Sequence, residues 1–529
     1  MATIQLRPHQ LVALAHWRTQ EENGEPVAVF DECGLGKSWV ACARILEDRE
    51  DEGEPMLRTL LVVPACILSQ WLALVAYFGI ADRVRIVSYA SIGRRTKTYS
   101  EVMGVSWHRK ILDEAHYLGQ YKTDRHGNFK GSGRARACRV IRATHRAAMT
   151  GTPCFSSSLS YQAIASFLGC TEGRLKDSVS IRRRIADIPA VRPHFPTIEA
   201  VDHEITDPTF VRRHTEAVDA YIDRRLGVIT EKSTEAEKRE YENRVPMHRR
   251  YAQEIGSLSL RLLRAHDDEA GGGDAGGDVG GAKDQPKVDL VCRLVARNEA
   301  RKILVFTTNV PENDLLTRTL RDRFPYRSVE AIVGGTPLPR RDQIFAGAAR
   351  AGHFSLGGSA TMHAAATVLL GHRRRSLMRH LFDRVCRFLP PVGSVVVAQL
   401  DTCGVGLNLN WAQVAIFARP GWRLRLEHQA VCRLRRMEPG RTHGTKTVHF
   451  LFVGRDASIE VPQKRKAGDG GDGGDGGSVK KGFIDRRIVS GRERKRNEAE
   501  TTLGEDSCAP WETHRTETYG TTTRPGQTE

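Results

Sequence analysis

Apolar residues in the first two hundred positions come in short runs, each followed by a stretch with helical spacing. The runs are Val27–Phe30, Leu60–Val63, Val84–Val87 and Ile111–Leu112. The runs are β-type. Repetition of strand and helix predicts a parallel α/β sheet with helices on both sides. The pattern fades near residue 200. Residues 204–265 read as helical and heavily charged, Glu231–Glu242 above all, and AGGGDAGGDVGGA (270–282) is a Gly/Asp linker that cannot bury a core. A second α/β pattern starts near Lys287. Its strands are expected at Lys302–Phe306, Ala331–Val333, Val395–Gln399 and Val414–Phe417, with an inserted loop over 347–378. From residue 462 the chain turns polar around GDGGDGGDGG and reads as a disordered tail. The expected organisation is a lobe over 1–203, a helical and flexible segment over 204–284, a second lobe over 285–461 and the tail over 462–529.

One stretch imitates a membrane span. Residues 59–81 carry no formal charge, and that length would cross a bilayer. Pro64 divides it into a β-rich piece and a helical piece, so a buried strand followed by a core helix is expected, with no membrane partner. Met1–Trp17 holds Arg7 and His9 without an apolar core, which excludes a secretory signal there. The eleven cysteines show no Cys-x2-Cys spacing and read as reduced, intracellular thiols rather than a zinc site.

Charge narrows the partner. The formal net charge is +17 over 529 residues, which favours a polyanion, with nucleic acid ahead of an anionic membrane. The excess is uneven. Residues 285–461 hold 27 Lys+Arg against 13 Asp+Glu, a net of +14, whereas the tail holds 13 against 12. The second lobe is therefore expected to carry most of a phosphate-tracking surface. The tail's basic clusters, Lys464–Lys466, Lys480–Lys481 and Arg492–Arg496, suit a nuclear import signal, a DNA tether or simply a solvated tail.

Two short segments carry chemistry. After Val27–Phe30 comes Asp31-Glu32-Cys33-Gly34-Leu35-Gly36-Lys37-Ser38, then a helix. A strand, a Gly turn and a helix N-terminus make an anion cradle of backbone N–H groups. Lys37 would reach β- and γ-phosphates, and Ser38 would ligate Mg²⁺. The strict G-x-x-x-x-G-K-[ST] pattern fails at Asp31. Further on, Lys110-Ile111-Leu112-Asp113-Glu114-Ala115-His116 sets two acids at the C-terminal end of an apolar strand, the edge where α/β sheets bind ligands. Asp113 is suited to hold Mg²⁺ and Glu114 to orient and deprotonate an attacking water.

In order along the chain, LRPHQ (Leu6–Gln10), DECGLGKS, VVPACILSQW (Val62–Trp71), ILDEAH and MTGTP (Met149–Pro153) resemble superfamily 2 helicase motifs. In detail they are similar to the Swi/Snf-type DNA-dependent ATPases, whose phosphate loop reads DEMGLGKT, with an Asp at the position of Asp31. KILVF (302–306), VGGTP (333–337), CGVGLNL (403–409) and QAVCRLRR (429–436) continue the match, so the resemblance spans about 3–205 and 285–461. It implies two RecA-like lobes that use ATP and Mg²⁺ and act on nucleic acid, duplex DNA in the first place; the expected location is intracellular, the nucleus ahead of the cytoplasm. It implies Gln10 at the adenine edge and Gly34, Leu35, Gly36, Lys37 and Ser38 around the phosphates. Asp113 and Glu114 keep the roles given above. His116, Thr150, Gly151, Thr152 and Gln429 would couple nucleotide state to the DNA groove, and Arg433 and Arg436 would be arginine fingers delivered by lobe closure.

The chain departs from the family form at several points. Cys403 replaces a Gly, Arg419-Pro420-Gly421-Trp422-Arg423-Leu424 replaces Asp-Pro-x-Trp-Asn-Pro, Cys432 replaces the Gly of the finger helix, and Glu438-Pro439 replaces Gly-Gln. None removes a catalytic charge. The short lobes and lean accessory regions resemble virus-encoded members, and no segment names a protein partner. The leading expectation is an ATP-driven duplex-DNA translocase. The alternatives are a strand-separating helicase or transcription-associated nucleoside triphosphatase, and a non-catalytic DNA-binding protein.

Overall fold

The computed structural model describes residues 4–48, 58–92, 97–121, 132–154, 158–232, 234–263, 284–350, 393–403, 409–421, 424–436, 444–453, 459–460, 480–481, 485, 488–490, 493–494, 497, 501 and 513–520. The Gly/Asp linker, the expected 347–378 insertion beyond Arg350, residues 404–408, 422–423 and 437–443 of the second-lobe motifs, and Lys464–Lys466 lie outside them; residues 347–350 of that insertion belong to the helix Leu338–Arg350 instead of a loop.

Two parallel sheets organise these residues. The first contains β1 (Val27–Val29), β2 (Thr59–Val63), β3 (Val84–Ser88), β4 (Trp107–Asp113), β5 (Ala143–Met149) and β6 (Ser180–Ile181), in the order β3-β2-β4-β5-β1-β6. The second contains β7 (Ile198–Thr206), β8 (Ile303–Thr307), β9 (Val329–Ile332), β10 (Val395–Gln399), β11 (Val414–Phe417) and β12 (Lys446–Val453). A two-residue antiparallel pair, β13 (Ile459–Glu460) with β14 (Lys480–Lys481), stands apart. β15 (Thr513–Gly520) completes the second sheet, whose order is β15-β7-β12-β11-β8-β10-β9. This is the expected fold class, two RecA-like parallel-sheet lobes.

The apolar strands are buried end to end: β2, β8 and β11 have no exposed position. Helices cover both faces, as continuous apolar strands require. Residues 59–81 resolve into β2, a short 3₁₀ turn and the helix Leu68–Phe78, which buries Trp71, Val75 and Phe78. Among the described residues no helix is long and apolar enough to cross a membrane. One apolar cluster runs from Val29 and Ile111 in the first sheet to Phe306 and Phe417 in the second, so the lobes share packing.

Three features refine the pattern reading. First, β7 begins at Ile198, before residue 203, yet it pairs with β12 in the second sheet. Its sequence IEAVDHEIT alternates acids with buried Ile198, Ala200, His203 and Ile205, and that polar half hides it from a search for apolar runs. Second, the charged segment is helical as its spacing predicts, and it divides into two helices, Pro208–Lys232 and Glu235–Gly256, packed against each other. Third, the tail expected to be disordered contributes β15, which runs parallel to β7 from Thr513↔Glu199 to Gly520↔Thr206. It also contributes Asp485, which forms a fully buried ion pair with Lys287 and accepts a hydrogen bond from the Val453 amide. THRTETYG is β-prone by its Thr and Tyr content but has no apolar run, because it sits at a sheet edge with most of its side chains in solvent.

Candidate nucleotide site

The C-terminal ends of β1, β4 and β5 meet along one edge of the first sheet, and the finger helix Leu424–Leu434 of the second lobe faces them. Between them lies a cavity of about 470 Å³, lined by Lys37, Ser38, Asp113 and Glu114 from one side and Gln429, Arg433 and Arg436 from the other. That volume is in the range of small-molecule sites.

The phosphate loop needs its glycines. Gly34 (φ 99°) and Gly36 (φ 83°) are left-handed, and Gly36 caps the helix Lys37–Leu46. A Cβ on Gly34 would lie 2.9 Å from the Phe195 ring and 3.3 Å from the Arg435 carbonyl oxygen; one on Gly36 would overlap the Gln10 amide. The two glycines thus let Phe195, Arg435 and Gln10 pack directly against the loop, where a side chain would collide with them. Lys37 Nζ donates to the carbonyls of Asp31 (2.7 Å) and Glu32 (3.4 Å) and lies in the cavity wall. Asp31, where the strict pattern has Gly, forms an ion pair with Arg183, which also donates to the His9 carbonyl. Glu32 accepts from the Ile185 amide at 2.7 Å and from Arg435 at 3.1 Å. The acidic start of the loop is therefore an anchor.

Leu35 and Gln10 do not line the cavity. Leu35 is buried in a small cluster with Ile185, Val191 and Phe195, so only its backbone belongs to the cradle. Gln10 sits behind the loop, accepting from the Arg7 amide (2.9 Å) and donating to the Leu35 carbonyl (3.4 Å). Its place in this structure is as a prop for the loop.

At the end of β4, Asp113 is buried. Its carboxylate accepts from Trp71 Nε1 at 2.7 Å and from the Glu114 amide at 2.9 Å. Burial and the neighbouring Glu114 charge push its pKa up to about 6, against the Trp71 hydrogen bond and Lys37, which favour the ionised form. Glu114 is the single described non-glycine residue at positive φ (50°). Such backbone strain costs about 1–2 kcal/mol and concentrates at functional positions. Ser38 and Asp113 present hard oxygen donors on one cavity wall, the chemistry a Mg²⁺ shared with substrate phosphates requires.

His116 ties this wall to its neighbours. Its Nδ1 is 2.8 Å from Thr150 Oγ1, 3.2 Å from Thr152 Oγ1 and 3.4 Å from Glu114 Oε2. Its Nε2 is 3.3 Å from the Gln429 amide nitrogen of the second lobe. An Nδ1–H tautomer suits the carboxylate and leaves Nε2 to accept from Gln429. Gly151 passes so close to the loop that a Cβ would lie 2.5 Å from Cys33 Sγ and 3.4 Å from Lys37 Nζ. All five expected coupling residues are thus brought together. Arg433 and Arg436 line the cavity, and burial followed by the Arg433 charge lowers Arg436 to about 10. It stays charged at neutral pH.

Sequence reasoning passed over several contributors. Trp71 was visible at the end of VVPACILSQW but carried no role until its bond to Asp113 was seen. Arg435, between the two expected fingers, holds Glu32 instead of lining the cavity. The second lobe's arginine excess is partly engaged: Arg327 donates to three backbone carbonyls and Arg419 forms ion pairs with Glu312 and Glu254. Those guanidinium groups serve the lobe's interior.

A glycine-bearing loop at a helix N-terminus, an acid pair at a strand end and guanidinium groups from a second parallel-sheet lobe converge on one cavity, as a two-lobed nucleotide site requires. The comparisons specify the type. The family described as SNF2-related domain matches residues 73–260. A probable global transactivator of Orgyia pseudotsugata multicapsid polyhedrosis virus is 27% identical over 205 residues, covering 34% of this chain and 38% of that protein. Transcription termination factor 2 of Drosophila melanogaster is 29% identical over 135 residues, covering 21% of this chain and 12% of that protein. The chain thus spans well under two thirds of these relatives. The Sulfolobus solfataricus SWI2/SNF2 ATPase core in complex with dsDNA aligns over 85% of this chain and 88% of its own at 17% identity, with a TM-score of 0.33. The chain thus contains an SNF2-related domain over residues 73–260, and its ordered motifs resemble those of Swi/Snf-type superfamily 2 ATPases.

Proposed function

We propose that the chain hydrolyses ATP to move along duplex DNA, in the nucleus of the cell it acts in. The observation that carries this reading is that one imidazole, His116, contacts the candidate general base Glu114 in the first lobe and Gln429 in the second. Lys37 and the loop amides would bind the phosphates, Ser38 and Asp113 would hold Mg²⁺, Glu114 would orient the water, and Arg433 and Arg436 would neutralise developing charge only when the lobes are together. Opening and closing of such a site, gated by the nucleotide, moves two lobes relative to each other and hence along a bound backbone. The net +14 over 285–461 supports a polyanionic track. The printed names of both relatives concern transcription, and the aligned SWI2/SNF2 core was solved with duplex DNA.

The test is ATP turnover with duplex DNA, single-stranded DNA, RNA or no polymer, with displacement of a triplex-forming strand as the readout of movement and of a forked strand as the readout of unwinding. Stimulation by duplex with triplex displacement is expected. Preference for single strands with efficient forked-strand displacement would establish a strand-separating helicase instead. Turnover no greater than that of Lys37→Ala would eliminate the enzyme reading. Gln429→Ala is expected to lower stimulation by duplex about tenfold, more than it lowers ATP affinity.

A further inference from the structure

The phosphate loop and the finger helix each place a thiol at the lobe interface. Cys33 precedes Gly34, Cys432 precedes Arg433, and both line the nucleotide cavity. The loop and the helix touch beside them, with Gly34 against the Arg435 carbonyl and Glu32 paired with Arg435, and both cysteines are free thiols. Room for the Cys33 sulfur exists because Gly151 has no side chain. On the far side of the pair, Cys432 Sγ lies 3.6 Å from His428 Nδ1, one helical turn earlier. The motif form DEMGLGKT and the Gly of the finger helix have no cysteine at either position, so the pair belongs to this chain.

We propose that Cys33 and Cys432 are an oxidant-sensitive pair whose disulfide links the phosphate loop to the finger helix and arrests the ATPase cycle. The oxidant is a hydroperoxide. The Cys33 thiolate attacks the peroxide O–O bond, giving a sulfenic acid at Cys33 and, from hydrogen peroxide, one water. Cys432 then passes its proton to His428 while its sulfur attacks the Cys33 sulfur. The S–O bond breaks, and the departing hydroxide takes the proton as a second water. Two thiols lose two electrons and two protons, and one peroxide is reduced to two waters. The cavity admits the small oxidant to Cys33. The Cys432 thiol, against the opposing effect of burial, and the nearby Lys37 and Arg433 charges hold the Cys33 thiol below its ordinary pKa, which favours the nucleophilic form. A covalent link at this point holds the lobes closed, so the opening needed for product release and nucleotide exchange cannot occur. The consequence for turnover rests on the ATPase reading above; the formation of the link does not.

The experiment uses the full chain, treated with hydrogen peroxide, capped with N-ethylmaleimide and digested without reductant for mass spectrometry. A linked peptide pair containing Cys33 and Cys432 is expected, abolished by dithiothreitol. Its absence, with both cysteines recovered singly capped, would overturn the proposal. In parallel, ATP turnover of oxidised wild type is expected to fall by about tenfold or more relative to the same sample reduced. Cys432→Ala, which cannot form the link, should keep an oxidised-to-reduced ratio within about twofold, whatever its absolute rate, and its Cys33 sulfenic acid should be trapped by dimedone. An equal, dithiothreitol-reversible loss in Cys432→Ala would assign the sensitivity elsewhere. A linked wild type that never hydrolyses ATP when reduced would sink the ATPase reading, and with it the arrest, while leaving the disulfide established.

Discussion

Arg435 of the second lobe reaches Glu32, at the start of the phosphate loop in the first, with Nη1 at 3.1 Å from Oε1. Both side chains are largely buried there. The pair fixes how the finger helix sits against the loop, so it bears on Arg433 and Arg436 without touching their cavity. Glu32→Gln and Arg435→Gln are each expected to lower kcat/KM for ATP by about tenfold, with a coupling of roughly 1–2 kcal/mol in the double variant. Strictly additive losses would show that the pair does not act as a unit.

Gly36 is constrained twice, by a left-handed backbone and by the Gln10 amide against its Cα. Gly36→Ala should destabilise the first lobe by about 1–2 kcal/mol and abolish nucleotide binding. Adding Gln10→Ala removes the overlap but leaves the backbone strain. The double variant is therefore expected to regain stability only in part, as read by thermal melts with and without ATP. Full recovery would mean that the contact alone matters.

The buried Lys287–Asp485 pair joins the start of the second lobe to the C-terminal region. Asp485→Ala would leave an ammonium group in the interior and should cost about 3–5 kcal/mol, whereas replacing both by Met and Leu should recover most of it. Denaturant titration gives the comparison. Equal loss in the single and double variants would place the effect in packing. Burial holds the Lys287 pKa below its ordinary value even with Asp485 beside it, so the unpaired lysine would tend to shed its proton.

Acid should weaken the second lobe. Burial holds His214 at about 4 and, with the charges of His203 and Arg301, His449 at about 3. Both are neutral in the folded protein at pH 7, while the unfolded chain takes up protons near the ordinary 6.5. Below that the unfolded chain binds more protons, so stability is full above pH 6.5 and falls as pH drops toward 4. Each unit of difference is worth about 1.4 kcal/mol, so the two sites together give a loss of several kcal/mol. Denaturation midpoints across this range should flatten in His214→Gln and His449→Gln. An unchanged slope in both would refute the assignment.

Much of the first lobe was legible in the sequence because β1 and β2 are apolar and buried on both faces and its chemistry sits in contiguous motifs. Lys37, Asp113 and Glu114 stand where strand ends must bring them. Contacts made between distant stretches of chain were not legible. Arg433, Arg435 and Arg436 look alike in QAVCRLRR, and only the helix's seating on the loop separates those lining the cavity from the one anchoring Glu32. β7 and β15 escaped because their strand pairing is made with each other and with β12, not announced by apolar runs. Gln10 shows the reverse case: its motif was plain, but the side chain's direction, toward Gly36 and Leu35, was not.

The second sheet draws its strands from three separated portions of the chain: β7 before the helical pair, β8 to β12 in the middle and β15 near the far end. During synthesis the first lobe has all six of its strands once Ile181 has emerged, whereas the second cannot close its β7 edge until Gly520 is free of the ribosome. The nucleotide site needs both lobes, so the nascent chain holds a phosphate loop long before it holds the arginines that complete it. Until Gly520 emerges β7 presents an open parallel edge, and pairing of that edge with another chain is the hazard β15 removes.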